Sequence, residues 1–339
     1  MVSRLSAVQA GSLARRALIA AGATGAVADA VSRHAIEAEL AGHPSHGLRL
    51  IPGYCAGSGA PGADLAAEPR VVSRAGAVTT IDAGGGLGHL AMAMAVDCAA
   101  ASAGEYGVGA AGVVRCGHAG RAGAWTERGA ARGCTTMVVL GGSAPPFVMS
   151  AGPGAAPSLH TNPIAFAVPG PGHPLMLDMA TSMVAEGKVH VALARHALLP
   201  EGSILSADGR VSNDPADFAN GGCLLPVGGH KGFGLSAVVE ALGVALTGAD
   251  AAGREPSEGA LVICLSSGAF RPGGEAAAAV ESMRGRIRGS GRTVAVLAPG
   301  DPEARHRAVA AGEVEVADEI VAQLRALAAP DSQGKEPPR

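Results

Sequence analysis

Ala77-Val78-Thr79-Thr80-Ile81-Asp82-Ala83-Gly84-Gly85-Gly86-Leu87-Gly88-His89-Leu90-Ala91 is the stretch on which the fold turns. Residues 77–82 form a short run rich in β-branched side chains, as a strand does. From Leu90 to Ala103 the pattern is helical. Between them, Gly86 to Ala91 satisfies G-x-G-x-x-A, the turn that cradles a dinucleotide pyrophosphate in a Rossmann fold. That fold also places an acidic residue at the end of a second strand, about 20 residues on. Glu105 is the candidate, and it falls in a polar turn. With 51 glycines in 339 residues, chance matches are expected. The stretch is read as a tight strand-to-helix connection in an α/β chain.

Upstream, residues 12–21 and 24–40 read as helices. Thr24 suits an N-cap and Gly42 a stop. The second helix runs into Gly42-His43-Pro44-Ser45-His46-Gly47-Leu48-Arg49, with Pro52 and Tyr54 beyond. Ser45-His46-Gly47 puts an imidazole that titrates near neutrality beside a hydroxyl, and Arg49 suits a carboxylate. Ordinary loop chemistry is the competing account of such a triplet. Residues 55–69 look like a loop, followed by strands at 70–73 and 77–82.

Downstream, Gly109–Val114 reads as a buried strand feeding His118 at the head of a helix that runs to about Arg132. There His118 acts in chemistry or caps the helix, while Trp125 belongs to the core. Strands are expected at Thr135–Leu140, Ile164–Val168, Leu175–Leu177, Ala260–Leu265 and Thr293–Leu297. Helices are expected at Met183–His196, at Glu275–Arg288 and near the C-terminus, with loops at 144–160 and 197–222. Asp178, at a strand end, is a cap or a ligand contact. Lys231, among glycines heading an apolar and buried helix, is an anion contact or an exposed turn lysine; the Walker spacing fails. Asp301-Pro302 reads as N-cap and first helical residue. The polar tail Asp331–Arg339 is expected to be disordered.

Composition narrows the class. Apolar residues make up 48% and aromatics only 2%, so the core is built from small side chains. The net charge of −3 gives no nucleic-acid footprint. The six cysteines form no CxxC pair, so no metal site is read, and reduced thiols in a cytoplasmic protein are expected. No run approaches the ~20 apolar residues of a membrane span.

Read together, the segments resemble the malate/L-lactate dehydrogenase family that is distinct from the Rossmann-type enzymes. Its relatives include ureidoglycolate and sulfolactate dehydrogenases and piperideine- or pyrroline-carboxylate reductases. The resemblance rests on Ser45-His46-Gly47, the Asp82–Gly88 turn, Gly117-His118-Ala119-Gly120 and Thr161-Asn162-Pro163-Ile164-Ala165-Phe166. It rests further on Leu177-Asp178-Met179-Ala180-Thr181-Ser182 and on Gly229-His230-Lys231-Gly232-Phe233-Gly234. It implies a non-Rossmann central β-sheet flanked by helices, with the N- and C-terminal helices packed together. The expected parts are a helical segment 1–69 with the catalytic motif, an α/β region 70–301, C-terminal helices 302–328 and a tail 329–339. A homodimer with its active site near the interface is also implied.

The resemblance further implies hydride transfer between NAD or NADP and a small 2-oxo or 2-hydroxy acid. Reduction of a cyclic imine carboxylate is the alternative, and a non-catalytic nicotinamide-binding protein a third. By motif, His46 or His118 is the acid/base, with Ser45 in support; Arg49, Tyr54 and Arg121 are substrate contacts. Ser143, Thr161, Asp178, Met179, Ala180, His230, Lys231, Gly300 and Asp301 are cofactor contacts. The pattern departs at Leu50 and Gly53, where relatives carry arginines, at His160, where they carry glycine, and at Gly141-Gly142.

Overall fold

The computed structural model describes residues 1–58, 62–250, 258–272 and 274–329; the expected tail Asp331–Arg339 lies outside them. The central sheet has seven strands. In spatial order they are Arg70–Ala75, Val78–Asp82, Val108–Cys116, Glu258–Ser266, Cys134–Gly142, Ile164–Val168 and Leu175–Met179. Only Val78–Asp82 and Val108–Cys116 pair in parallel; every other neighbour is antiparallel. A Rossmann sheet needs a succession of parallel crossovers. Here one β-α-β unit, built on the Gly88–Tyr106 helix, stands alone.

The glycine turn shows why the dinucleotide match is accidental. Gly84 N–H donates to Asp82, Gly85 N–H to the Arg115 carbonyl, Gly86 N–H to Ala83 and Gly88 N–H to His118. Asp82 is itself locked by a two-pronged Arg115 pair at 2.6 and 2.8 Å. The donors that would cradle a phosphate are spent on the protein, as buried backbone groups must be.

Two main cores result. One lies between the sheet and its helices, with Ile81, Met92, Val96, Val113, Trp125, Val138 and Val262 buried together. The other joins the chain ends. Leu13, Leu18, Val27 and Val31 of the first two helices pack with Leu48, Ile51 and Tyr54, and with Val321 and Leu324 of the last helix. A five-stranded sheet of short strands forms a third layer, with Met149, Val184, Val189 and Leu224 beneath it.

Several expectations are corrected. The chain opens with a strand, Val2–Ser6, paired antiparallel to Glu313–Ala317. The first helix therefore begins at Ala7, with Ser6 and Gln9 in a capping box. The loops expected at 144–160 and 197–222 hold the strands Met149–Ser150, Pro157–Leu159, Ile204–Leu205 and Val211–Ser212, besides the helix Pro215–Ala219. Thr293–Leu297 is not a strand, because nothing among the described residues pairs with it. The helix expected from Met183 begins at Glu186. Asp301 is not an N-cap: Gly300, at φ +93°, holds that position. The apolar helix at 230 is not buried throughout; it runs on through a π-helical turn, Ala241–Ala245, and exposes Val238 and Leu246.

Candidate active site

The helix Gly25–Leu40 ends at Ala41, and Pro44 turns the chain into a short 3-10 turn over Pro44–His46. Glu39 reaches forward from the helix end and accepts the Leu48 N–H at 2.8 Å. A Cβ at position 47 would run into that carboxylate, so a larger residue there must displace the Glu39 side chain. His46 is thereby held at the loop exit, with its Nδ1 3.0 Å from the Ser45 hydroxyl. Burial first, and then His118, push the His46 pKa down to about 3.

His118 follows the strand Val108–Cys116 on the loop 117–121. It stands four residues before the helix Ala122–Ala130, so it is not the cap of that helix. Its Nδ1 receives the Gly120 N–H at 3.2 Å and lies 2.5 Å from the Tyr54 hydroxyl. Burial keeps Tyr54 protonated. Nδ1 is thus an acceptor, and the ring proton sits on Nε2. Burial lowers the His118 pKa to about 4. The His46 and His118 rings lie nearly parallel, with centroids 6.0 Å apart.

A cavity of about 240 Å³ opens beside His46. Ser45, His46, Arg121 and Lys188 line it, together with Thr161, Pro163, Asp178, Met179, Ala180 and Val227. His118 is not on this lining; it stands behind His46. Pro163, Met179, Ala180 and Val227 offer apolar surface that suits a flat ring, and the polar side chains of the same lining suit a small anion. The residues present therefore fit a nicotinamide with an acid beside it.

The expected contacts divide. Thr161, Asp178, Met179 and Ala180 reach this cavity, whereas Ser143, His230, Lys231, Gly300 and Asp301 do not. Ser143 lines a separate hollow with Ala237 and Glu240. Asp301 is committed elsewhere: it accepts from Arg288 at 2.7 and 2.8 Å and lies 2.9 Å from His173 Nε2. Asp178 is a cap, though of a distant helix, since it accepts the Gly123 N–H at 2.9 Å in the first turn of Ala122–Ala130. Arg121 is no free clamp; it is buried, 2.5 Å from Glu127 and 3.8 Å from Asp178. Arg49 turns to the Ser45 carbonyl at 3.5 Å and is absent from the lining. Tyr54 meets His118 and no part of the cavity wall.

Lys188 escapes a reading of the sequence. It has no carboxylate partner among the described residues and sits in the first turn of the helix Glu186–Ala194. The only local signal is Glu186-Gly187-Lys188 shortly after the Asp178–Ser182 segment. Gly187 lies close against Ser45, where a Cβ would stand 3.2 Å from that residue's own Cβ.

Comparison with known proteins agrees with this architecture. The profile described as malate/L-lactate dehydrogenase matches residues 5–325. A (2R)-3-sulfolactate dehydrogenase (NADP(+)) of Chromohalobacter salexigens is 35% identical, over 97% of this chain and 99% of that protein. A Δ1-pyrroline-2-carboxylate/Δ1-piperideine-2-carboxylate reductase of Pseudomonas putida is 36% identical, over 67% of this chain and 66% of its own. The crystal structure of the Δ1-piperideine-2-carboxylate reductase from Pseudomonas syringae pvar. tomato superposes with a TM-score of 0.84 at 29% identity, covering 96% of this chain and 99% of that one. Fold and sequence together make the chain an oxidoreductase that belongs to the malate/L-lactate dehydrogenase family.

Proposed function

We propose that the chain reversibly reduces a small 2-oxo acid to a 2-hydroxy acid with NADH or NADPH, and that His46 moves the proton. The observation that carries this reading is His46 on the wall of a cavity whose lining also offers apolar surface suited to a nicotinamide. The bound cofactor supplies or accepts the hydride; the protein does the rest. His46 carries the proton to or from the substrate oxygen. Ser45 fixes its ring through Nδ1, which leaves Nε2 for the substrate. His118 positions: Tyr54 and Gly120 hold it in one tautomer beside His46. Lys188 is the cation for the substrate carboxylate, since Arg121 is already neutralised by Glu127 and Asp178. His230 and Lys231, exposed at the start of the helix His230–Glu240, suit the cofactor phosphates.

The test is turnover, followed as oxidation of reduced nicotinamide, across a panel of 2-oxo acids. His46→Ala should lower kcat by ~10²–10⁴, and His118→Ala should lower it less. Equal losses would give His118 a share of the proton transfer; no loss in His46→Ala would remove the assignment. The reductase relative supports a second reading, reduction of a cyclic imine carboxylate at C=N. Piperideine- and pyrroline-2-carboxylate assayed beside pyruvate and oxaloacetate separate the two.

The exposed Val238, Leu246 and Phe270, 53–72% accessible in the single chain, support a homodimer, to be checked by sedimentation. The six unpaired thiols support a cytoplasmic setting. No helix among the described residues is long and apolar enough to cross a membrane.

A further inference from the structure

Across the Arg121 wall from the active-site cavity lies a second one, of about 540 Å³. Its floor is a cluster of three rings. His34 stacks on Trp125 at 4.8 Å, and His89 meets His34 edge-on at 4.9 Å. His89 is 2% exposed, and its Nδ1 has no hydrogen-bond partner. Burial keeps this ring neutral. The rim carries Arg33, Arg128, Arg132 and Arg307.

These guanidinium groups are only partly satisfied. Arg128 and Arg132 share Asp97, at 2.8 and 2.7 Å. Arg307 shares Glu127 with Arg121, at 2.7 and 2.5 Å. Glu37 also faces the cavity. Arg33 has no carboxylate within ion-pair distance among the described residues. Four rim guanidinium groups thus stand against Asp97, Glu37 and a Glu127 that is shared with Arg121, above a buried, unpartnered imidazole nitrogen. None of the rim residues takes part in the proposed reaction.

We propose that this cavity binds a multivalent oxyanion, either a phosphoryl group or a di- or tricarboxylate. Arg33, Arg132 and Arg307 hold it, with His89 beneath. Planar guanidinium forks match such anions through paired hydrogen bonds. The site touches the active-site wall at two points. Glu127 is divided between Arg307 and Arg121. His34 accepts the Arg121 N–H at 2.7 Å. An occupant that engages Arg307 therefore acts on the same Arg121 that lines the active-site cavity.

Trp125 is the only tryptophan of the chain and lines this cavity, so its emission reads occupancy directly, whatever the enzyme's substrate. Inorganic phosphate and citrate are titrated separately into the full-length protein, with ionic strength held constant by sodium chloride. A saturable change in emission is expected, and the tighter of the two anions names the ligand class. Arg33→Gln and Arg132→Gln should each weaken the binding about tenfold or more, the usual effect of losing a charge-assisted hydrogen bond. Arg210→Gln, whose residue pairs with Asp208 on an exposed turn outside the cavity, should not. The melting temperature of each variant checks its fold; Arg33 has no carboxylate partner to lose among the described residues. No saturable response to either anion, or Arg33→Gln and Arg132→Gln titrating like the parent, would overturn the proposal.

Discussion

At the scale of single residues, the site is governed by how burial sets protonation. His46, pushed down to about 3, is neutral at every ordinary pH, the form in which it can take up a proton. In the direction of hydroxy-acid oxidation the base must be unprotonated, and it stays so as the pH falls from 7 to 5. An imidazole of ordinary pKa, about 6.5, would lose more than about tenfold in rate over that range. The kcat/KM for oxidation is therefore expected to be level between pH 7 and 5, and a fall centred near 6.5 in the pH–rate profile would contradict the assignment. Tyr54→Phe should cut kcat by about tenfold with little change in KM, because His118 loses the hydroxyl that fixes its tautomer. Lys188→Met should instead raise KM about tenfold or more, with Lys188→Arg restoring much of it, since a charged contact is removed. His46 and His118 stood out in the sequence as candidates because a histidine at a turn carries its chemistry with it. Lys188 did not, because a lysine on a helix acquires meaning only from what the fold brings opposite. Arg121 misled for the converse reason: its charge was legible, and the carboxylates that cancel it were not.

At the scale of elements, the loop that presents His46 is held by a carboxylate in an unfavourable place. Burial raises the Glu39 pKa to about 7 while it accepts the Leu48 N–H. In the unfolded chain the same group titrates near 4.5. The folded protein then holds this proton more tightly than the unfolded one. The resulting contribution is whole below about pH 4.5 and is lost as the pH rises through 7. Glu39→Gln keeps the shape and removes the charge. In denaturant unfolding it should match the parent near pH 4.5 and gain on it by up to about 3 kcal/mol above pH 7; parallel curves would refute the burial argument. Gly47→Ala should cost about 1–3 kcal/mol, because the new methyl meets the Glu39 side chain. Long periodic elements such as Gly25–Leu40 could be read from the sequence, since one face of many residues points to the core. The two-residue strands at 149–150, 204–205 and 223–224 could not, because their existence depends on partners far along the chain. Thr293–Leu297 has the composition of a strand and no edge to join.

At the scale of the whole molecule, the candidate catalytic corner and the candidate cofactor wall belong to different cores. Leu48 and Tyr54 pack in the cluster that ties the chain ends together, whereas Asp178, Met179 and Ala180 lie at and just beyond the end of the outermost strand of the central sheet. The resemblance implied that the terminal helices meet, as they do. The sequence hid the strand pair Val2–Ser6 with Glu313–Ala317 that closes them, because five residues at an N-terminus carry too little pattern. The separation has a consequence for unfolding. Leu324 is 1% exposed in the terminal cluster and shares it with Leu48, Ile51 and Tyr54. Leu324→Ala should destabilise that cluster by about 2–5 kcal/mol. The sheet core, centred on Ile81, Met92 and Val113, loses no contact in this variant. Activity, which in the proposed reaction needs His46 on the loop that Leu48 and Ile51 anchor in the terminal cluster, should then vanish at a lower denaturant concentration than the far-ultraviolet signal of the sheet. In the parent the two transitions should lie closer together. Transitions that coincide in Leu324→Ala as in the parent would mean that the two cores unfold as one unit.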